Sequence, residues 1–392
     1  MSQSTKIDIQ LRAGTQSKAI ILIYVLVSFF YWVGLYLYVP TLPLYVQART
    51  NNLTAVGVVL SMYGLWQLII RLPLGIAVDW AGWKKPFLAG GIALVGVGAW
   101  IMGSASSESG LIVGRAVTGL AAGAWVPLTV VFSGLFDRRE ILRATALLTL
   151  ISTLARLVAT SATGFLNNLG GYSLAFHLSA FVSALAVLIV LFVPEQPLPV
   201  RKPQGMKTLA LLVRRDVLLP ALLNAICQYG DWAATFSFVP ILARQFGAGD
   251  ITISWMLSAN IGLVLLGNLV VTSVVNRIGY PKLVIAGFLL IAAGILGAAL
   301  TKSMPYLFLA QFSIGLASGA LYPVLMGLSI RSVGEPERTT AMGLHQSVYA
   351  LGMFGGPWLS GILAASIGIQ PMFAITAVGI VVLASIVIRA MK

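Results

Sequence analysis

From Ala19 to the C-terminus the sequence is a succession of apolar runs broken by short polar segments that carry most of its basic residues. A helix rises 1.5 Å per residue, so a run of about 20 residues crosses the ~30 Å hydrocarbon core of a bilayer. Twelve runs reach that length, at 19–45, 54–78, 86–104, 109–134, 141–166, 172–194, 217–242, 251–275, 281–301, 304–330, 340–367 and 370–389. In hydrocarbon the backbone must satisfy its own hydrogen bonds, and runs this long do so as helices. The expected fold is therefore an all-α membrane protein of twelve transmembrane helices. Only 9% of the residues are charged, against roughly 25% in soluble domains, so no soluble fold could clothe this chain. The first run is too long for a signal-peptide core, and it is read as retained.

Charge sets the orientation. With the N-terminus inside, the inner segments hold 19 of the 25 Lys and Arg residues, and the outer ones hold Arg49, Arg244 and Lys302. That bias predicts cytoplasmic N- and C-termini. It also accounts for the net charge of +14, which faces anionic lipid on the inner side. A nucleic-acid partner would need a basic soluble domain, and the sequence has none. The single cysteine, Cys227, lies inside the seventh run and implies neither disulfide nor metal.

The sequence also repeats itself. Gly119–Pro127 reads GLAAGAWVP, and Gly315–Pro323, 196 residues later, reads GLASGALYP. Tyr38-Val39-Pro40 in the first run returns as Phe238-Val239-Pro240 in the seventh, and DWAGWKKP after the second is echoed by NRIGYPKL after the eighth. The organisation expected is an N-terminal segment 1–18, two pseudo-symmetric six-helix bundles at 19–194 and 217–392, and a basic linker, 195–216. Repeated halves of this kind suit alternating access around a midplane site. Gly119 with Gly123, and Gly315 with Gly319, are small-xxx-small pairs that let helices approach closely.

The stretch GIAVDWAGWKK resembles the signature loop of the major facilitator superfamily. Gly75, Asp79, Gly82, Lys84 and Lys85 stand at its Gly, Asp, Gly and two basic positions. GRAVTGLAAGAWVP resembles the helix-4 signature, with Arg115 at its arginine. The resemblance implies the major facilitator fold, a conformational latch at the five loop positions, and a central cavity lined by helices 1, 4, 7 and 10, with help from 5, 8 and 11. In the proton-driven drug antiporters of the superfamily the helix-4 arginine is linked to proton transfer. Those antiporters carry Gly-Pro in helix 5, where this chain has Ala159-Thr160.

Polar residues in the runs form stripes. Asn224, Gln228, Asp231 and Thr235 fall at i, i+4, i+7 and i+11, one face of a helix. Tyr24, Ser28 and Tyr31 repeat that spacing in the first run, and Thr149, Ser152, Arg156, Thr160 and Thr163 form a stripe in the fifth. In lipid, a polar face needs either protein or a water-filled cavity opposite it. The cavity candidates are Tyr24, Ser28, Tyr31, Trp32, Asn224, Gln228, Trp232, Thr235, Gln311, Tyr322, His345, Gln346 and Tyr349. Interhelical hydrogen bonding is the alternative reading for each stripe.

Four ionisable residues lie within runs: Arg71, Arg115, Arg156 and Asp231. Each costs about 2.5–3.5 kcal/mol at a helix centre if uncompensated. Asp231 sits about 21 Å into its run, near mid-membrane. Asp231, Arg115 and Arg156 are the proton-coupling candidates; the alternative is a static salt bridge from Asp231 to Arg156 or Arg115. Two readings stay open for Arg71: a structural one, in which it snorkels or braces the latch, and a functional one. Three arginines against one aspartate favour an anionic or zwitterionic substrate, and the aromatic residues nearby suit an organic one.

No Walker A, Gly-x-Ser-x-Gly or His-Glu-x-x-His sequence occurs, so ATP drive and the matching hydrolases are not expected. The expectation is a non-enzymatic, monomeric secondary transporter of a bacterial inner membrane, moving a small organic solute outward by proton-coupled antiport, without cofactor or metal. A lipid flippase of the same fold is the alternative. A non-transporting receptor or scaffold would need soluble extensions.

Overall fold

A computed structural model describes residues 3–81, 83–136, 140–193, 214–334 and 338–391, and every regular element among them is helical. In chain order these are α1 (Gln3–Tyr36), α2 (Leu42–Thr50), α3 (Leu53–Ala81), α4 (Lys85–Ser104), α5 (Glu108–Ala121), α6 (Trp125–Gly134) and α7 (Ile141–Phe192). Then come α8 (Arg215–Ala233), α9 (Val239–Gln245), α10 (Asp250–Ile278), α11 (Tyr280–Leu300), α12 (Met304–Ile330), α13 (Arg338–Ile367) and α14 (Ile369–Ala390).

Ten helical stretches among the described residues are long and apolar enough to cross a membrane. One of them, Arg143–Phe192, has 50 residues. At 1.5 Å per residue that is about 75 Å, more than twice the hydrocarbon thickness. It is broken at Gly170 (φ −144°, ψ 19°) and Gly171 (φ 70°, ψ 178°), the second at a positive φ that glycine tolerates and a side chain resists. The break falls between the fifth and sixth runs expected from hydropathy. The seventh run is α8, a π-helical turn at Ala234–Phe238, and α9. Its polar stripe keeps it out of the ten.

The repeated tripeptide marks the same event in both halves. At Tyr38-Val39-Pro40 the helix gives way to a 3-10 turn, Val39–Thr41, and at Phe238-Val239-Pro240 it passes through the π turn. Proline has no N–H for the carbonyl four residues back, so the regular ladder breaks at each. The regular α-helix of the first span in each half is thereby interrupted near the same phrase.

The glycine repeat has an equally direct counterpart. A Cβ on Gly119 would meet Tyr63 O at 2.9 Å and Met62 O at 3.0 Å on α3. One on Gly315 would meet Asn260 O at 2.7 Å on α10. Gly123 packs on Leu74 of α3, and Gly319 on the backbone of Val264 in α10. In each half, then, the fourth helix lies against the second through the same pair of glycines, on backbone at Gly119, Gly315 and Gly319 and on side chains at Gly123.

The halves meet along α3–α13 and α7–α10. Gly57, Gly64, Arg71 and Gly75 share one face of α3. Gly57 lies against Pro357 and Gly361, and Gly64 against the backbone of Met353 and Phe354. Farther along that face Gly75 has open space, as does Gly343 on the facing part of α13. Gly164 of α7 packs on Asp250 and Ile251 at the start of α10. The two halves are pressed together on the side remote from the chain termini and part toward the side that carries them.

Candidate functional site

Where the halves part, two guanidinium groups stand among neutral partners. Arg71 donates from Nη1 to Tyr349 Oη at 2.6 Å and to Gln346 Oε1 at 3.2 Å, and from Nη2 to Gln67 Oε1. Two of these partners belong to the opposite half. Arg71 therefore bridges the halves and does not snorkel. Arg156 donates to Ser152 O at 3.2 Å and Thr153 Oγ1 at 3.3 Å, and lies over the Trp32 and Tyr36 rings at 5.1 and 5.6 Å. Trp32 in turn meets Trp125 edge-on at 5.2 Å. Tyr322 stands 5.8 Å from Tyr349, ring to ring, within electrostatic reach of both arginines.

Arg115 is placed differently. It is 2% exposed, with its guanidinium 4.3 Å from the Tyr63 ring. Tyr63 stacks on Trp232 at 5.3 Å, and Trp232 on Phe236 at 4.7 Å. This ladder of one cation and three rings crosses from the first half to the second and closes the site on the side remote from the termini. Its Nε and Nη1 have no hydrogen-bond partner, and a desolvated cation–π contact, worth about 2 kcal/mol, offsets part of that cost.

Asp231 is 6% exposed, beside Cys227, with no hydrogen-bond partner for Oδ1. The ion pairs formed among the described residues, Arg143–Glu140, Arg214–Asp216 and Arg244–Asp250, all lie at helix ends. None joins Asp231 to Arg156 or Arg115, so the salt bridge weighed from sequence does not form.

Several stripe residues are spent inside their own half. Tyr31 donates to Ala121 O at 3.2 Å and is fully buried, as is Ser28; Tyr24 is buried too. Gln311 is held on α12 beside Asn260, whose amide donates to the Gln311 main-chain oxygen at 2.9 Å. Ser329 donates to Val217 O at 3.0 Å, so its oxygen accepts from His345 Nδ1 at 2.7 Å, and His345 Nε2 accepts from Asn224 at 2.8 Å. That relay fixes one neutral tautomer of the imidazole and ties α8, α12 and α13 together. Thr235 is buried and Gln228 half-buried. Of the thirteen cavity candidates, Trp32, Tyr322, Gln346 and Tyr349 gather around the two arginines, and Trp232 forms the closure.

At the loop, Lys85 Nζ donates to Leu191 O and Val193 O at 2.7 Å, satisfying carbonyls at the C-terminal end of α7, and Lys84 is buried. Gly82, the side chain of Asp79 and linker residues 194–213 lie outside the described residues. On the closed side, Asn167 Nδ2 donates to Thr41 Oγ1 at 2.9 Å and to Asp250 Oδ2 at 2.8 Å, and Asp250 pairs with Arg244. Thr160 and Ser161 meet Ser258 at 2.7 and 3.0 Å. Away from the arginines, a groove of about 550 Å³ between α11 and α12 opens on the apolar outer surface near Leu300 and Tyr306.

The Major Facilitator Superfamily model matches the chain over residues 24–230 and again over 221–391. The chain belongs to that superfamily. As a major facilitator protein it is a multi-pass membrane transporter and not an enzyme. Among its relatives, an uncharacterized transporter of Buchnera aphidicola is 28% identical over 161 residues, spanning 41% of this chain and 40% of that protein's length. The multidrug resistance protein MdtG of Salmonella typhimurium is 26% identical over 372 residues, 88% of this chain and 90% of its own. A bacterial homologue of the human lysosomal transporter Spinster, solved inward-facing and unoccupied, superposes with a TM-score of 0.80 at 14% identity, covering 96% of this chain and 97% of that one. That likeness concerns the fold.

Two features of this major facilitator chain escaped the sequence reading. One is the Thr41–Asn167–Asp250–Arg244 cluster, whose only signal was that Arg244 and Asp250 are two of the few charged residues in the outer loops. The other is the cross-half partnership of Arg71, for which spacing along one helix carries no signal.

Proposed function

We propose that this protein exports a small organic solute by alternating access, coupled to protons, from a bacterial inner membrane in which it spans twelve times as a monomer with both termini cytoplasmic. Its halves, 19–194 and 217–392, rock about the linker 195–216, and the latch at Gly75, Asp79, Gly82, Lys84 and Lys85 biases one conformation. The observation that carries the reading is the asymmetry of the interface. The halves are packed closely and hydrogen-bonded on one side, while toward the other Gly75 and Gly343 have open space beyond a charged site that Arg71 spans. A site open to one side at a time is what alternating access needs.

Asp231 supports the proton part. It is a buried carboxyl without a cationic partner, next in sequence to Trp232 of the ring ladder that closes the site. A carboxyl so placed is a group that can take up and release a proton during the cycle. The likeness to a multidrug resistance protein supports export, and the site's aromatic walls support an organic cargo.

The test uses proteoliposomes loaded with a pH-sensitive dye, with the orientation of the reconstituted protein measured. Wild type is expected to move protons when a transported solute is added, and Asp231→Asn to bind solute without moving protons. Unchanged coupling in Asp231→Asn would remove the proton role. Solute-independent behaviour of well-folded wild type across organic anions, neutral solutes and cations would remove the transport reading itself.

A further inference from the structure

We infer that Arg71 and Arg156 form the seat of an organic anion, one acidic group of the cargo lying between the two guanidinium groups and its apolar body against the rings beside them. This rests on the transport reading above and names the class of solute.

Charge balance carries the argument. Ten of the eleven acidic residues lie outside the apolar runs, at helix ends, in loops or in the terminal and linker segments. The eleventh, Asp231, makes no ion pair. Arg71 and Arg156 are hydrogen-bonded, but every partner is neutral: two amide oxygens and a phenol for one, a main-chain carbonyl and a hydroxyl for the other. Hydrogen bonds of this kind orient a guanidinium without cancelling its charge. A site in the membrane with two formal positive charges and no protein carboxylate attracts an anion and repels a cation.

Exposure separates these arginines from the third. Arg115 is sealed in the ring ladder, whereas Arg71 and Arg156 remain partly exposed where the halves part. Arg71 also retains donors that a carboxylate or phosphate can engage in parallel, the geometry for which Arg surpasses Lys. Trp32, Tyr36, Tyr322 and Tyr349 supply aromatic surface next to both charges. Because Gln346 and Tyr349 come from the second half, an anion that draws Arg71 toward itself loosens a bond between the halves. The seat is therefore also coupled to their separation.

The experiment is titration calorimetry on the full-length protein in lipid nanodiscs with four probes of one shape: 2-naphthoate, 2-naphthyl phosphate, 2-naphthamide and 2-naphthylmethylammonium. Either or both anions are expected to bind, with the amide and the ammonium at least tenfold weaker. Arg71→Gln and Arg156→Gln should each weaken the anion at least tenfold. Arg71→Lys and Arg156→Lys, which keep the charge and guard against loss of folding, should weaken it less. Lys302→Gln, remote from the site, should not change it. Carboxylate against phosphate tells which acidic group the seat prefers. Binding of the ammonium or the amide in preference to both anions overturns the proposal and leaves the transport reading standing. Failure of every probe to bind well-folded protein also overturns it, while the proton assay above judges transport independently. Anion binding that survives both Gln substitutions places the anion elsewhere and equally overturns it.

Discussion

Asn167 and Asp250, one from each half of the chain, are joined by a 2.8 Å hydrogen bond at the closed end of the interface. The carboxylate is held in turn by Arg244 and the amide by Thr41. In the proposed alternating-access cycle this bond breaks whenever the side opens, so it contributes to the equilibrium between the two conformations. Asp250→Asn and Asn167→Ala should shift that equilibrium toward opening. A hydrogen bond to a charged group contributes about 1.5–3 kcal/mol, or roughly ten- to a hundredfold in population. Distance measurements between spin labels near the Gly170-Gly171 break of α7 and at the start of α10 should record a new, longer population. An unaltered distance distribution would show that the cluster does not hold the closed state.

Gly64 and Gly75 share a face of α3 and should respond oppositely to substitution. A side chain at Gly64 would strike the backbone of Met353 and Phe354, whereas Gly75 faces open space. Gly64→Val should cost about 1–3 kcal/mol by overpacking and stop the halves closing on that side, with loss of transport. Gly75→Ala should leave thermal stability unchanged or slightly raised, since alanine favours a helix interior over glycine. Melting curves in detergent decide both. Equal effects at the two positions would contradict the described interface.

The Asn224–His345–Ser329 relay is a structural element in this arrangement. Asn224→Ala leaves His345 Nε2 buried without its donor, and an orphaned buried polar group costs about 1–3 kcal/mol. The expected result is a lower melting temperature, with solute affinity unchanged in the protein that remains folded. A selective loss of affinity at unchanged stability would instead assign Asn224 to the cavity.

Asp216, at the start of α8 and outside the spans, offers a check on pH. Its carboxyl bonds Arg214 and Ser332, which hold it down at about 2 against an ordinary 3.8. A depressed value contributes stability that is fully present above the ordinary value and is lost as pH falls toward the folded one. The pair is substantially exposed, so solvent screens most of the effect. The difference in melting temperature between wild type and Asp216→Asn should be small and constant from pH 5 to 8, narrowing only below about pH 4. A difference that changes near neutrality would implicate another group.

Much of the site was half-legible from the stripes. The polar spacing in the seventh run picks out Asn224 and Asp231 correctly as residues turned toward protein. Yet Asn224 meets His345 inside its own half, and Asp231 meets no arginine. A stripe states that one face avoids lipid; it does not distinguish a cavity from a neighbouring helix. The first run shows the same limit, because Tyr31 bonds the Ala121 carbonyl while Trp32, one position on, flanks Arg156.

By itself, the sequence determined the helical class, the positions of the apolar runs and the duplication into halves. These follow from local quantities: hydropathy summed over about 20 residues, charge at the run ends, and a phrase repeated at an offset of 196. The interruptions at Pro40, Pro240 and the Gly170-Gly171 pair are local in origin too, although Pro73, Pro220, Pro323 and Pro357 sit inside continuous helices. Only the tertiary structure decided what each charge faces. Arg71, Arg115 and Arg156 are alike in hydropathy and similarly embedded, but one bridges the halves, one is sealed beneath a ring ladder and one flanks the opening. Those fates depend on the rotation of each helix about its axis and on which half lies opposite. Both are set by the close approach of α3, α5, α10 and α12 at their glycines and by the side on which the halves are shut, and neither is a property of any single run.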